Sequence, residues 1–257
     1  MTRQRQGGAG AFSETADAYS ATMAPALAPV AVEVVRRAAL RPGETVIDVG
    51  CGTGNATALA VGAGRRVLGL DAAPGMLAIA RSRVPEAEFV EADFGALPLA
   101  DGHADVTLAA HALLFAHDRV AALREWHRVT RPGGRLSLSV PGPGNVVPST
   151  VLGGVYDAYG IEWGDDYPTP DEVADWASEA GWTDAKVATD PEMGIPLADD
   201  DAFRTWLRVG ARNRLTASWP DDRREAYERD LMAASPRAAA GGYRLPFGAI
   251  YLTANRG

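Results

Sequence analysis

Apolar runs alternate with segments of helical spacing along most of the chain. Short apolar runs predict strands at residues 45–49, 66–70, 87–92, 104–110, 134–140, 183–189 and 245–254. Between and after them, apolar residues at helical spacing predict helices at residues 54–63, 74–83, 118–130, 170–180, 199–211 and 221–235. Strands that alternate with helices form a parallel sheet covered by helices on both faces. The pattern therefore predicts an α/β fold.

The first predicted strand runs directly into a glycine-rich turn, Val46-Ile47-Asp48-Val49-Gly50-Cys51-Gly52-Thr53-Gly54. Gly50 and Gly52 let a ligand approach the backbone, and the free N–H groups of the following helix favour a carboxylate or phosphate. Asp71 ends the next strand, where an acidic side chain can accept hydrogen bonds from ribose hydroxyls. These features predict a site for an adenosine-containing cofactor.

The spacing within this turn bears on which cofactor it holds. A dinucleotide fingerprint reads G-x-G-x-x-G, whereas Asn55 stands where its third glycine would fall. Asp48, two positions before the first glycine, suits the cationic end of an amino acid better than a pyrophosphate. The spacing weakens the NAD interpretation and leaves it open as an alternative.

The length fits one α/β domain with additions. We expect a single domain over residues 1–257, because this length buries one core with an appended cap, or at most two small domains. The first ten residues are expected to be disordered. We assign N-terminal lid helices to residues 12–40, a cofactor-binding core to residues 41–141, and cap insertions to residues 144–169 and 199–242.

Composition argues against several other classes of protein. A formal net charge of -8 disfavours nucleic-acid binding, since phosphate neutralisation requires clustered cations. Cys51 is the only cysteine and the four histidines are dispersed, so we expect neither a disulfide nor a metal site. We see neither a signal peptide nor a run of about 20 apolar residues. A cytoplasmic protein without a membrane span is therefore expected.

Four short motifs occur in order along the chain: Asp48-Val49-Gly50-Cys51-Gly52-Thr53-Gly54, Leu70-Asp71-Ala72-Ala73-Pro74-Gly75-Met76-Leu77, Glu91-Ala92-Asp93-Phe94, and Leu123-Arg124-Glu125 through Arg131-Pro132-Gly133-Gly134-Arg135-Leu136. Together they resemble the class I S-adenosylmethionine-dependent methyltransferases over roughly residues 40–257. The branch they resemble most includes ubiquinone and menaquinone methyltransferases and many small-molecule methylases. The resemblance implies a Rossmann-like, seven-stranded, mostly parallel sheet with an antiparallel last strand, and a helical cap over the active site.

The resemblance also implies the cofactor and the residues that hold it. S-adenosylmethionine would be the cofactor and S-adenosylhomocysteine its product. The methionine portion would lie against Gly50, Cys51 and Gly52, and Asp71 would accept both ribose hydroxyls. The adenine would contact Ala72, Met76, Asp93 and Phe94. For Met76, packing in the protein core is an equal alternative.

Three residues are candidates for catalysis. His111 follows the strand at 104–110, a segment that borders cofactor and acceptor in this family, and is a candidate base or acceptor-positioning residue. Simple contacts with cofactor or backbone are its alternative. His117, just before the helix at 118–130, is a second candidate. Tyr19 resembles a tyrosine that closes the site over the cofactor, and packing against the cap is its alternative.

The predicted reaction is in-line methyl transfer to a small acceptor in secondary metabolism. The acceptor is expected to be aromatic or apolar, natural-product or quinone-like, with aromatic cap residues as pocket walls: Tyr156, Tyr159, Trp163, Trp206 and Tyr243. Two alternatives stay open, an NAD-dependent oxidoreductase and a cofactor-retaining protein that does not methylate or serves as a scaffold. The acceptor atom, and the choice between monomer and homodimer, are not determined by the sequence.

Overall fold

A computed structural model describes residues 9–142, 152–161, 167–190, 194–208, 216–245 and 248–257. The strands in this part are β1 (Thr45–Val49), β2 (Arg66–Asp71), β3 (Glu88–Glu91), β4 (Ala104–Ala110), β5 (Thr130–Pro141), β6 (Thr183–Asp190), β7 (Ile195–Leu197), β8 (Tyr243–Leu245) and β9 (Ala249–Asn255). A seven-stranded sheet has the order β3-β2-β1-β4-β5-β9-β6, and β7 pairs with β8 in a separate small sheet.

The large sheet is parallel except at one strand. β1 to β5 pair in parallel, whereas β9 runs antiparallel to both of its neighbours, β5 and β6. This confirms the predicted Rossmann-like sheet with an antiparallel last strand. The chain leaves β1 toward β2 on one side and later returns to β4 on the other. The carboxyl ends of β1 and β4 therefore meet where the strand order reverses, the place where such sheets bind ligands.

Helices cover both faces of this sheet and build a cap beside it. Their bounds are α1 (Ala9–Glu14), α2 (Ala16–Ala21), α3 (Met23–Ala26), α4 (Ala28–Ala38), α5 (Asn55–Ala60), α6 (Pro74–Arg83), α7 (Arg119–Val129), α8 (Gly153–Tyr159), α9 (Pro170–Glu179), α10 (Asp200–Leu207) and α11 (Asp221–Ala234). Side-chain caps start three of them, α7, α9 and α10, the last through Asp199. Asp118 accepts from the Ala121 N–H at 2.9 Å, and Thr169 forms a capping box with Glu172.

Several boundaries differ from the predicted ones. α5 ends at Ala60 instead of residue 63, because Gly62, Ala63 and Gly64 all adopt positive φ in the turn that follows. β5 begins at Thr130 instead of residue 134, since this stretch bonds to the C-terminal segment through the Gly133 N–H and the Arg256 carbonyl at 2.7 Å. These are end effects that leave the order of elements intact.

Two further differences lie outside the large sheet. The last strand begins at Ala249 instead of residue 245, because residues 243–245 pair with β7. Helix α1 begins at Ala9, within the segment expected to be disordered, and it packs on α6, where the Gly75 N–H donates to the Ser13 hydroxyl at 3.1 Å. The sequence pattern predicted neither contact, since both join segments far apart in the chain.

The cap has an apolar core separate from that of the sheet. We call the following buried residues the cap core: Met23, Ala26, Leu152, Tyr156, Ile161, Ile195, Leu197, Phe203, Trp206, Leu207, Tyr227, Leu231, Met232, Tyr243 and Leu245. Met23 and Ala26 belong to α3, so the N-terminal helices pack into the cap as well as over the sheet. The predicted lid and cap therefore share one core.

Among the described residues, no single helix has the length and hydropathy of a membrane span. The segments Ala16–Ala26 and Ala28–Ala38 reach that length and hydropathy only when they are taken together, and the chain bends by 63° between them.

Candidate active site

A cavity lies where the carboxyl ends of β1 and β4 meet. Three parts of the chain line it: the N-terminal helices with Tyr19, Leu27, Val30 and Ala31, the glycine turn with Asp48, Gly50, Cys51, Gly52, Thr53, Asn55 and Ala56, and the end of β4 with Ala110 and His111. Of the predicted site residues, the structure brings Tyr19, Gly50, Cys51, Gly52 and His111 together here. The others lie outside this lining.

Gly50 and Gly52 play different parts in shaping this cavity. Both have positive φ, 68° and 54°, which glycine adopts without strain. A Cβ at Gly50 would lie 2.4 Å from the Cβ of Ala112, so the protein itself excludes a side chain there. A Cβ at Gly52 would meet no atom within 4 Å. The backbone at Gly52 therefore faces open space, as expected for a turn that admits a ligand.

Asp48 is a buried carboxylate beside the glycine turn. Its Oδ2 accepts from the Thr57 hydroxyl at 2.6 Å, whereas Oδ1 is buried without a hydrogen-bond partner in the described part of the chain. Burial raises the pKa of Asp48 to about 6. A buried oxygen with spare acceptor capacity is costly unless a ligand satisfies it. This site therefore suits a cationic or N–H donating group.

Cys51 lies in the glycine turn near Asp48, and its thiol is unreactive. Its side chain is buried, and burial raises the pKa of the thiol well above its usual value, with Asp48 adding to the effect. The thiol therefore stays protonated and is a poor nucleophile. Its role in the site is its small size beside Gly52.

Asp71 ends β2 and braces the glycine turn. Its Oδ2 accepts from the Gly52 N–H at 2.8 Å and its Oδ1 from the Ala73 N–H at 2.9 Å. Burial raises its pKa, and these backbone N–H groups oppose that rise. Each carboxylate oxygen can accept a second hydrogen bond. Asp71 can therefore hold two ligand hydroxyls while it fixes the backbone of the turn.

The four predicted adenine contacts lie near the turn but do not line the cavity. Ala72 is half-buried, and Met76 is buried in a cluster with Ala16 and Ala73. Asp93 is exposed, and its Oδ1 accepts from the Gly95 N–H at 2.8 Å. Phe94 is half-buried, with its ring edge 3.0 Å from the position of a Cβ at Gly50. Their role as an adenine site stays a prediction.

His111 ends the β4 segment in a left-handed conformation, with φ 58°. Its main-chain N–H donates to the Ser139 carbonyl at 3.0 Å and to the Ser139 hydroxyl at 3.1 Å, and its Nδ1 lies 3.0 Å from the same hydroxyl oxygen. Burial lowers the pKa of His111 to about 4, opposed by a hydrogen bond from the ring to the Ser139 backbone carbonyl. The imidazole is therefore neutral at physiological pH.

The remaining histidines lie away from the cavity. His117 is exposed directly before Asp118, the cap of α7, so its predicted catalytic role has no support from its position. His103 is exposed, and His127 packs edge-on against Trp182, 5.2 Å between ring centroids. Within the described ranges, no group of three His, Cys, Asp or Glu side chains could hold a metal ion.

Tyr19 lines the cavity from the N-terminal helices. Phe12 packs edge-on against both Tyr19 and Phe115, with ring centroids 6.3 Å and 5.3 Å away. The Asn55 amide donates to the Ala24 carbonyl at 2.6 Å and ties α3 to the glycine turn. Helix α3 is thus attached to the glycine turn.

Several residues of the site were not predicted. Leu27, Val30 and Ala31 line the cavity from the end of the lid and the start of α4. The sequence shows these three residues only as part of the apolar spacing typical of any buried helix, which does not indicate a binding site. Ser139 holds His111, and its signal was a polar residue alternating with leucine along a buried strand.

The described aromatic cap residues do not line this cavity, and their predicted role as walls of an acceptor pocket stays a prediction. Tyr156, Trp206 and Tyr243 are buried in the cap core, and at most 2% of the surface of each residue is exposed to solvent. Tyr159 stacks on Trp219, with ring centroids 5.9 Å apart, and its hydroxyl donates to Asp230 at 2.7 Å. Trp163 lies outside the described residues. Tyr156, Trp206 and Tyr243 therefore pack inside the cap and do not line the cavity.

Fold and site together define a Rossmann-like protein with a glycine-lined, acidic ligand site at the switch point of its sheet. A sequence profile, the Methyltransferase domain, matches residues 47–138. The chain is 31% identical over 164 residues to the demethylmenaquinone methyltransferase of Renibacterium salmoninarum, a match that covers 56% of this chain and 68% of that protein. The chain belongs to the S-adenosylmethionine-dependent methyltransferase family.

Other similarities agree with this assignment. The malonyl-[acyl-carrier protein] O-methyltransferase of Serratia marcescens is 36% identical over 145 residues, 56% of each chain, so the match spans little more than half of that relative. A phosphoethanolamine N-methyltransferase 2 of Haemonchus contortus, solved with S-adenosyl-L-methionine, shares the fold with a TM-score of 0.55 and 15% identity over 88% of this chain and 52% of its own. The dinucleotide alternative is not favoured by any of these similarities.

Proposed function

We propose that this protein transfers the methyl group of S-adenosylmethionine to a small acceptor that is aromatic or apolar, natural-product or quinone-like. The observation that carries this proposal is the open backbone at Gly52 beside the buried oxygen of Asp48. A relative named for demethylmenaquinone supports the quinone-like class of acceptor. A cytoplasmic location and a place in secondary metabolism stay predictions.

The residues that line the cavity, together with Asp71 beside the glycine turn, fit the parts of the cofactor. Its amino-acid end carries an ammonium group, which matches the buried Oδ1 of Asp48. Its ribose carries two hydroxyls, which match the two oxygens of Asp71, each already fixed by one backbone N–H. Gly52 leaves the space in which the methionine portion would lie against the main chain.

The bound cofactor supplies a methyl group that its sulfonium already activates. The protein therefore has to align the reactants and keep water away from them. Tyr19, Leu27 and Val30 cover one side of the cavity with mostly apolar surface. His111 also lines the cavity, directly after the end of β4. With its pKa near 4 it is a weak proton acceptor, which favours positioning over general-base catalysis.

A protein that binds the cofactor without methylating is the main rival. The [4+2]-cyclase SpnF shares this fold, with a TM-score of 0.56 and 20% identity over 89% of this chain and 80% of its own. An assay with candidate acceptors separates the two. We expect S-adenosylhomocysteine together with a product heavier by one methyl group, whereas binding without either product would support the rival.

Gly52→Ala tests where the cofactor binds, with Gly43→Ala as a matched control. Both glycines have positive φ and open space around a Cβ, but only Gly52 lines the cavity. The two variants therefore carry similar backbone strain. By calorimetry we expect Gly52→Ala to weaken S-adenosylmethionine binding by at least about tenfold, or 1.4 kcal/mol, and Gly43→Ala to leave it unchanged. Equal affinity in both variants would contradict the assignment.

A further inference from the structure

Arg83 reaches from the end of α6 to two residues that line the cavity. Its Nη1 donates to the Thr53 carbonyl at 2.8 Å and to the Thr53 hydroxyl oxygen at 3.0 Å. Its Nη2 donates to Oδ1 of Asn55 at 3.2 Å. Thr53 and Asn55 both line the cavity, whereas Arg83 is exposed on the surface of α6. One guanidinium therefore connects the outer surface of α6 with the glycine turn.

The end of α6 also packs against this turn. Gly54, the residue between the two partners of Arg83, has φ 85°. A Cβ at Gly54 would lie 3.4 Å from the side chain of Val84 and 3.5 Å from that of Ala80. These residues flank Arg83 in the chain, so the apolar contact and the guanidinium act on the same short stretch of the turn.

The two partners of the Asn55 amide fix its orientation. A guanidinium can only donate a hydrogen bond, and a main-chain carbonyl can only accept one. Arg83 therefore faces the amide oxygen, and the Ala24 carbonyl accepts from the amide nitrogen at 2.6 Å. Turning the amide by half a rotation would bring two donors together at Arg83 and two acceptors together at Ala24. Arg83 thus determines that Asn55 donates to α3.

The hydrogen bond from Asn55 to Ala24 joins two segments that line the cavity. Asn55 lines it from the glycine turn, and α3 lies in the chain between Tyr19 and Leu27, which line it from the N-terminal helices. A ligand between these segments is retained while the segments stay joined. Loosening this hydrogen bond should therefore speed the release of the ligand.

We propose that Arg83 is a positioning residue of the cofactor site, which orients the Asn55 amide so that Asn55 holds α3 against the glycine turn and slows release of the cofactor. This rests on the proposed function for the identity of the cofactor. The planar guanidinium reaches Thr53 and Asn55 with two different nitrogens. The single ammonium group of a lysine has the charge without this fork.

The orientation of Asn55 is measurable without any ligand. In protein labelled with 15N-asparagine, the side-chain amide of Asn55 is identified by its loss in Asn55→Ala. We expect its proton toward the Ala24 carbonyl to exchange slowly with water, and Arg83→Met to accelerate this exchange several-fold. Arg81→Met is the matched control, because Arg81 is also exposed on α6 but donates to the Phe89 carbonyl at 3.0 Å. It should leave the Asn55 signal unchanged.

The same variants test the effect on the cofactor. The rate measured is the dissociation of S-adenosylhomocysteine from the immobilised protein. We expect Asn55→Ala to release it about tenfold faster than the wild type, as for the loss of one hydrogen bond. Arg83→Met and Arg83→Lys should both release it about threefold faster, since their contacts are exposed. Arg81→Met should leave the rate unchanged.

A double variant tests whether Arg83 acts through Asn55. If it does, Arg83→Met has a smaller effect on the dissociation rate in the Asn55→Ala background than in the wild type. Two independent residues would instead give effects that multiply. A loss that reflected only the stability of α6 would also multiply, because it would not depend on the side chain at position 55.

Three results would overturn this inference: unchanged exchange of the Asn55 amide in Arg83→Met, a wild-type dissociation rate in Arg83→Met or Arg83→Lys, and multiplying effects in the double variant. Because Arg83 is exposed, we expect its variants to fold, which thermal denaturation checks. If the protein binds neither S-adenosylmethionine nor S-adenosylhomocysteine while the Asn55 amide responds to Arg83→Met, the proposed function fails and the orientation of Asn55 by Arg83 stands.

Discussion

The cavity at β1 and β4 and the cap core differ in how their polar groups are hydrogen-bonded. In the cavity, polar groups retain unused capacity: Asp48 has a buried oxygen without a partner in the described residues, and Gly52 faces open space. In the cap core, the Tyr243 hydroxyl is satisfied within the protein, since it donates to Asp200 at 2.6 Å. In this protein the unused acceptor oxygen of Asp48 lies at the cavity, whereas Tyr243 belongs to the cap core.

This difference gives each region its own expected response to mutation. Groups that pack or pair within the protein affect its free energy of unfolding. Groups that are left open for a ligand affect binding and little else. Substitutions in the cap core should therefore lower stability, and substitutions at the cavity should lower cofactor affinity.

The largest expected effect is that of Trp206→Ala in the cap core. Trp206 is 1% exposed and packs edge-on against Phe203, with ring centroids 5.6 Å apart. Its removal leaves a large cavity and should lower the free energy of unfolding by about 3–5 kcal/mol, measured by urea denaturation. Trp219→Ala, at a half-buried position, should cost less. A Trp206→Ala protein that loses cofactor affinity but keeps its free energy of unfolding would contradict this distinction between the cap core and the cavity.

Asp71→Asn should weaken binding of S-adenosylmethionine by roughly 30-fold, about 2 kcal/mol, because one charged acceptor is lost. The amide oxygen can accept from only one of the two backbone N–H groups, and its NH2 faces the other. The free energy of unfolding should therefore fall as well, and urea denaturation measures that loss separately from the loss in binding. Asp105→Asn is the control, because Asp105 also accepts a backbone N–H, from Thr45 at 2.8 Å, but lies at the opposite end of the strands. Equal affinity losses in the two variants would remove Asp71 from the site.

A smaller effect should appear in the pH dependence of cofactor affinity. Burial raises the pKa of Asp48 to about 6, so the carboxylate becomes protonated as the pH falls through 6. A cationic ligand needs the ionised form, and affinity should drop about tenfold between pH 7 and pH 5. Burial also raises the pKa of Asp71, which acts in the same direction. Calorimetry on Asp48→Asn should show a flatter profile, and an unchanged profile would contradict the assignment.

The sequence predicted the strands of the sheet and the glycine turn well because both depend on local patterns. Strands 45–49 and 104–110 match to the residue, since each is an apolar run bounded by polar or turn residues. Gly50 and Gly52 were identified as a close-approach turn, and both have positive φ. Predicted element boundaries are wrong where contacts with a distant segment determine them. The predicted last strand begins at residue 245, for example, whereas residues 243–245 pair with β7.

What the sequence by itself determined is the family, the sheet and the position of the donor side of the cavity. Only the tertiary structure decided that Ser139 holds His111, that Asn55 ties the lid to the turn, and that Tyr156, Trp206 and Tyr243 fill the cap core. The reason is physical. Strand and turn formation depend on neighbours a few residues apart, whereas hydrogen bonds and packing across 28 or 31 residues depend on how the elements meet in space.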